Sequence, residues 1–121
     1  MIKLVYCIRR RADLSEAEFQ RYWLEDHAPK VRSVATAIGA VRYVQSHARL
    51  PQANAGFRAS RGLAEAFDGI TEIWWNSPEE LAAGTGTADG LAAARMLLED
   101  ERNFIDFAAS SIFMTEEFEI F

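Results

Sequence analysis

Between Ile2 and Arg9, apolar residues follow one another with little polar interruption, over a span too short for a stable isolated helix. This reads as a strand with both faces largely apolar. The period then lengthens. Phe19, Trp23, His27, Val31, Val34 and Ile38 recur mostly three or four apart, which is one face of a helix. Ser15 and Glu18 have the spacing of a capping box at its start, and Leu14 and Phe19 that of a hydrophobic staple. Pro29 falls inside it. Without an amide for the Glu25 carbonyl, and by restricting Ala28, it predicts a kink or restart just after His27, before Gly39 ends the helix.

From Val41 to Ala48 the side chains alternate, with Val41, Tyr43, Gln45 and His47 on one face of a second strand. Leu50 to Phe67 carries turn formers and one short amphipathic piece, and reads as a long loop. Gly69 to Asn76 is β-branched and aromatic, a third strand. Ser77 and Pro78, with Glu79 and Glu80, have the form of a helix start, and Gly84 to Thr87 breaks that helical region. A longer helix follows from about Ala88 to Asn103, with Leu91, Ala94, Arg95, Leu97 and Leu98 in its periodic span. The tail from about Ser111 to Phe121 alternates as a fourth strand.

The order βαββαβ predicts an α+β, ferredoxin-like fold: an antiparallel four-stranded sheet with the helices on one face. Strands such as IKLVYCI and ITEIWW leave apolar side chains on the other face as well, more than a small soluble monomer tolerates exposed. Sheet-to-sheet association of two copies, a homodimer, is therefore expected.

Composition narrows the function. At 121 residues there is room for one domain, 1–121, and 50% hydrophobic with 26% charged residues is the balance of a folded globular chain. A net charge of −5 argues against nucleic acid as a partner, since phosphate backbones demand a basic surface. No apolar run approaches the ~18 residues that span a membrane. The single Cys7 has no internal partner and the N-terminus lacks the order of a secretory signal, so a reducing cytoplasm is expected. Phosphate loops, GxGxxG, GxSxG and HExxH are all absent, and His27, His47 and Cys7 have no ligand spacing, which predicts neither metal nor cofactor.

Three stretches carry a resemblance: Phe19-x-x-Tyr22-Trp23-x-x-x-His27-Ala28-Pro29; Phe67-Asp68-Gly69-Ile70 running into Glu72-Ile73-Trp74; and Glu99-x-Glu101-x-x-Phe104-Ile105-Asp106. Together they resemble the EthD family of dimeric α+β barrel proteins over nearly the whole chain. The resemblance implies a barrel closed by two protomer sheets, with a pocket in each subunit between sheet and helices. Related members look like cofactor-free dehydratases or decarboxylases of aromatic polyketides, and wider relatives include monooxygenases, lactone isomerases and haem proteins. Fold is thereby narrowed further than reaction.

His27 is the foremost candidate. It is either a core or helix-capping histidine, or a general acid and base on a pocket wall, since imidazole titrates near ~6.5. Tyr43 and His47 join it as candidate catalytic groups and Gln45 as a substrate contact, because that strand face is unusually polar for an interior; the alternative is a strand end facing solvent. Tyr6, Trp23, Phe67 and Trp74 are candidate substrate platforms, or core. Asp26 cannot face its neighbour His27 on a helix, and Asp68 reads as a turn residue. The expectation is a cofactor-independent enzyme, a lyase, dehydratase or cyclase before an oxygenase, acting on a small hydrophobic or aromatic, polyketide-like compound. A non-catalytic carrier of a hydrophobic metabolite or haem is the alternative.

Overall fold

The four strands form as the alternation requires, over Ile2–Ile8 (β1), Arg42–His47 (β2), Gly69–Trp75 (β3) and Ser111–Glu116 (β4). In the computed structural model, which describes residues 1–121, they make one antiparallel sheet ordered β2-β3-β1-β4. This is the ferredoxin-like arrangement. The register sets Leu4 opposite Ile73, Tyr6 opposite Thr71 and Ile112, and Tyr43 opposite Ile73, so these side chains share the face that meets the helices.

The first helical region runs in three pieces: α1 (Glu16–Arg21), a π-helical stretch at Tyr22–His27, and α2 (Ala28–Ile38). Ser15 and Glu18 close the capping box. The restart forced by Pro29 falls just after His27, but the wide π turn ahead of it absorbs the proline's missing amide: the Ala28 amide donates to Trp23, five residues back. Gly39 ends α2 at φ 73°, a left-handed cap that glycine adopts without strain.

Two boundaries differ from expectation. Residues 51–61 are not a loop but a helix, α3 (Pro51–Arg61), opened by Pro51, filled by Ala53, Ala55 and Ala59, and closed by Gly62 at φ 63°. None of its residues is buried, so Asn54 and Gly56 give it a polar, turn-like composition without preventing the helix. The fourth strand stops at Glu116, five residues short of the end, because Glu116 already faces Ile2, where β1 begins. Residues 117–121 therefore have no neighbouring strand to pair with.

α4 (Pro78–Thr85) and α5 (Ala88–Glu101) join α2 over the sheet. Two apolar clusters hold the layers together: Ile8, Phe19, Trp23, Phe104 and Ile105 at one end, and Ile38, Trp75 and Ala93 at the other. Gly69 is required where Trp23 crosses β3, because a Cβ there would lie within 2.7 Å of the Ser46 carbonyl and the indole ring.

The outward face of the sheet is less apolar than its strands suggested. Val5, Val44, Ile70 and Phe113 lie there, but Lys3 and Glu72 pair across it at 2.7 Å and the Arg42 guanidinium stacks 4.6 Å above Trp74. The charged residues of β1 and β3, Lys3 and Glu72, are thus gathered on this side. No helix is long and apolar enough to cross a membrane.

Candidate functional site

Between the two apolar clusters lies a cavity of about 190 Å³. Most of its wall is aliphatic or aromatic; the polar groups that reach it are Tyr6, His27, Tyr43, Thr71, Thr85 and Glu101, with the indole of Trp23. No lysine or arginine lines it. A cavity of ~150 Å³ holds a benzene molecule, so this space suits one aromatic ring with a short substituent.

His27 enters from the end of the π turn and is 6% exposed. Its Nδ1 lies 2.6 Å from Oδ2 of Asp100, at the end of α5. Asp100 is equally buried and also accepts from the Tyr22 hydroxyl and the Lys30 ammonium, each at 2.6 Å. Burial pushes the Asp100 carboxyl up, but bonds from Lys30, Tyr22 and His27 outweigh it and bring its pKa down to about 2. An ionised carboxylate only accepts, so the Nδ1 of His27 carries the proton and Nε2 presents a lone pair. Nε2 makes no bond within the chain. Desolvation lowers the His27 pKa against the raising effect of Asp100, so the ring is neutral at pH 7, the form a general base requires.

Glu101, the next residue, turns about 100° around α5 and faces the cavity with Tyr6 instead. Desolvation, with the Asp100 charge behind it, raises Glu101 to about 6 despite the Tyr6 hydroxyl, which favours its ionised form. Burial also pushes the Tyr6 hydroxyl upward. One cavity therefore holds a base tuned down and an acid tuned up, the arrangement by which a site separates proton roles.

Tyr43, Gln45 and His47 form a file along β2 on the helix side. The Gln45 Nε2 donates to the Trp23 carbonyl and to the Tyr43 hydroxyl, both at 2.8 Å, and Gln45 Oε1 lies 2.9 Å from Nε2 of His47. The His47 ring stacks on Trp23 with centroids 4.4 Å apart.

Of the candidates read from sequence, His27, Tyr43, Tyr6 and Trp23 meet at the cavity. His47 and Gln45 do not line it; Gln45 bonds the Trp23 carbonyl and the Tyr43 hydroxyl from behind, and His47 stacks on Trp23. Phe67 lies elsewhere, 4.2 Å beneath the Arg9 guanidinium in the cleft under α3. Trp74 is also misplaced by that reading: strand alternation turns it to the outward face, where its indole bonds Glu117, while Trp75 faces the cavity. Asp68 is a turn residue as expected, tied to the Arg10 backbone amide at 2.8 Å and to its guanidinium at 2.9 Å.

Asp100 was not singled out by sequence, and Glu101 only within the acidic stretch of the family resemblance, with no role at the site. The signal was there: Ala93, Leu97, Asp100 and Phe104 continue one inward stripe at spacings of four, three and four. Three consecutive acids, Glu99 to Glu101, hide which of them turns inward. No group of three or more His, Cys, Asp or Glu side chains is arranged to hold a metal ion.

The sequence profile of the EthD domain matches residues 11–108. None of the curated proteins matches the chain. Among solved structures, an EthD family protein from Bacillus halodurans C-125 is 18% identical, with 98% of this chain and 99% of that chain covered at a TM-score of 0.63. A dimeric protein of unknown function and ferredoxin-like fold from Bacteroides fragilis NCTC 9343 is 8% identical, covering 96% and 95% at 0.58. SnoaB, a cofactor-independent oxygenase from Streptomyces nogalater, is 14% identical, covering 98% and 93% at 0.53. At such identities the likeness is one of fold.

Proposed function

The chain belongs to the EthD family, and from that premise we propose that it is an enzyme that moves a proton on a small, one-ring aromatic molecule without a cofactor. The observation that carries the reading is His27: buried, neutral, its Nδ1 anchored on a carboxylate and its Nε2 free at a largely apolar cavity. Asp100 holds the tautomer and offsets the positive charge that develops when Nε2 takes a proton. Glu101, raised to about 6, is a second titratable group on the same space and is largely ionised at neutral pH. Dehydration, enolisation and aldol-type cyclisation all begin with removal of a proton beside a carbonyl, so a lyase or cyclase is favoured over an oxygenase. The size of the cavity favours a single ring over a haem, whose macrocycle is several times larger than benzene.

Phenylacetone, which fits this volume, gives the test. In D2O at pD 7.5 the protein should speed exchange of its α-hydrogens, followed by proton NMR, and His27→Gln should lower that rate by ~10²- to 10⁴-fold. Exchange no faster than in buffer, or undiminished in His27→Gln, overturns the reading.

The working unit is a homodimer in which a second copy covers the outward sheet face. Phe113 is 51% exposed and Ile70 36% in one chain, beside Val5 and Val44 on that face, and Phe118, Ile120 and Phe121 of the tail are exposed as well. A reducing cytoplasm suits the free thiol of Cys7.

A further inference from the structure

Sorted by what its polar groups give and take, the cavity wall is unbalanced. Its donors are taken up within the protein. The Thr85 hydroxyl bonds the Leu81 carbonyl at 2.8 Å, the Tyr43 hydroxyl stands among Gln45, Thr71 and the Trp23 indole, and the Tyr6 hydroxyl is turned to Glu101. Two acceptors remain. One is Nε2 of His27, already read as the base, and the other is the carboxylate of Glu101, a partly exposed residue of the same wall. Tyr6 is the single donor that acts on it, whereas an ionised carboxylate has about four acceptor positions. Asp100, one residue back on α5, takes bonds from His27, Tyr22 and Lys30, but no lysine or arginine lines the cavity to do the same for Glu101. Burial with so few partners is what raises its pKa to about 6, and at pH 7.5 it is still mostly ionised. A charged acceptor with unfilled positions in an apolar wall calls for a donor that the ligand brings.

We propose that Glu101 is the specificity-determining residue of this site and accepts a hydrogen bond from a hydroxyl on the ligand's ring, which makes the substrate class a hydroxyaryl carbonyl compound. The inference rests on the reading of the cavity as a one-ring site with His27 as its base, and adds the group that orients the ring. With one edge of the ring held at α5, the carbonyl-bearing arm is left to His27 on the π turn. No proton is transferred at Glu101, since a phenolic hydroxyl, with a pKa near ~10, keeps its proton at pH 7.5. An anionic substrate is disfavoured, because the one charge on the wall is negative. An ammonium would bring three protons and a large desolvation cost to a wall that offers one carboxylate, whereas a hydroxyl needs a single acceptor.

Calorimetric titration of the full chain at pH 7.5 with phenylacetone and with its 2-, 3- and 4-hydroxy derivatives tests this without turnover. The isomer whose hydroxyl meets Glu101 should bind about tenfold or more tightly than phenylacetone, the usual weight of a hydrogen bond to a charged group. Its methoxy counterpart, with no proton to give, should not. Glu101→Gln keeps the shape and removes the charge, and should cut the advantage of the hydroxyl to about threefold or less. A merely structural role for Glu101 would weaken all the probes alike and leave their ratio unchanged. His27→Gln should keep the ratio while exchange is lost, so failure of the proton-transfer reading and failure of this one are separate results. Three hydroxy isomers that bind no better than phenylacetone, an equal gain from the methoxy compound, or an advantage that survives whole in Glu101→Gln overturns the assignment and leaves His27 untouched. Failure of phenylacetone and all its derivatives to bind overturns the one-ring reading of the cavity as well.

Discussion

Replacing Asp100 by Asn removes one negative charge and keeps nearly the same shape, so the change in stability reports the charge itself. Asp100 is 6% exposed and has a pKa of about 2, against 3.8 for a free carboxyl. At 1.36 kcal/mol per unit of pKa this difference makes the native protein about 2 kcal/mol more stable above pH 5. Because the folded pKa is depressed, the contribution is complete above pH ~4. It falls to about half near pH 3 and nearly vanishes below pH 2. Asp100→Asn should therefore lower Tm by about 10 °C at pH 7 and by little at pH 2, measured by calorimetry at fixed protein concentration. Glu101→Gln, one residue on, should do the reverse. Its folded pKa of about 6 lies above the ordinary 4.5, so the protonated form is favoured in the fold below pH ~4.5 and that advantage is lost as pH rises through 6. Glutamine mimics the protonated acid, and the variant should be more stable than the parent by ~2 kcal/mol at pH 8 and equal to it near pH 4. An Asp100→Asn loss that is the same at pH 3 as at pH 7 would refute the electrostatic account, leaving packing as the cause.

His27→Ala should stay folded, since Asp100 keeps its bonds to Lys30 and Tyr22, while exchange into phenylacetone drops with that of His27→Gln; a variant that melts early yet exchanges normally contradicts the assignment. Gly69→Ala should cost about 1–3 kcal/mol in urea unfolding, because the added methyl meets the Trp23 ring and the Ser46 carbonyl, and an unchanged midpoint would show that Trp23 can move aside. Light scattering at low micromolar concentration should give about twice 13.6 kDa, and Phe113→Asp should shift the mass toward one copy. A clean monomer for the parent protein would remove the homodimer. Exchange should survive EDTA, and its loss with recovery on adding one metal would contradict a metal-free site.

Alternation and helical period, read along the chain, determined most of the architecture: four strands in βαββαβ order, the capping box at Ser15, the restart after His27 and the glycine end at Gly39. These are local matters, decided by residues within a few positions of one another. The family resemblance was equally legible, carried by three stretches of which the first lies on the helix that holds Pro29 and the π turn. Residues 51–61 misled because Asn54 and Gly56 weigh toward a turn, whereas a solvent-exposed helix needs only its terminal signals and alanines. The site was less legible. Its aromatic wall was guessed by residue type, and strand alternation exchanged Trp74 for Trp75, a one-residue shift that moves a side chain to the other face of the sheet. Asp100 meets His27 across a sequence separation of 73 residues, and among three adjacent acids only the rotation of α5 against α2 decides which one arrives. The proton states followed from that packing as well, because burial and partners shift Asp100, Glu101 and His27 in directions that residue type alone does not contain. What the sequence by itself determined is where the chain bends and which faces are apolar. Which polar groups share a cavity, and which partners they find, was decided by tertiary structure, because hydrogen bonds between distant segments depend on distances that no local pattern encodes.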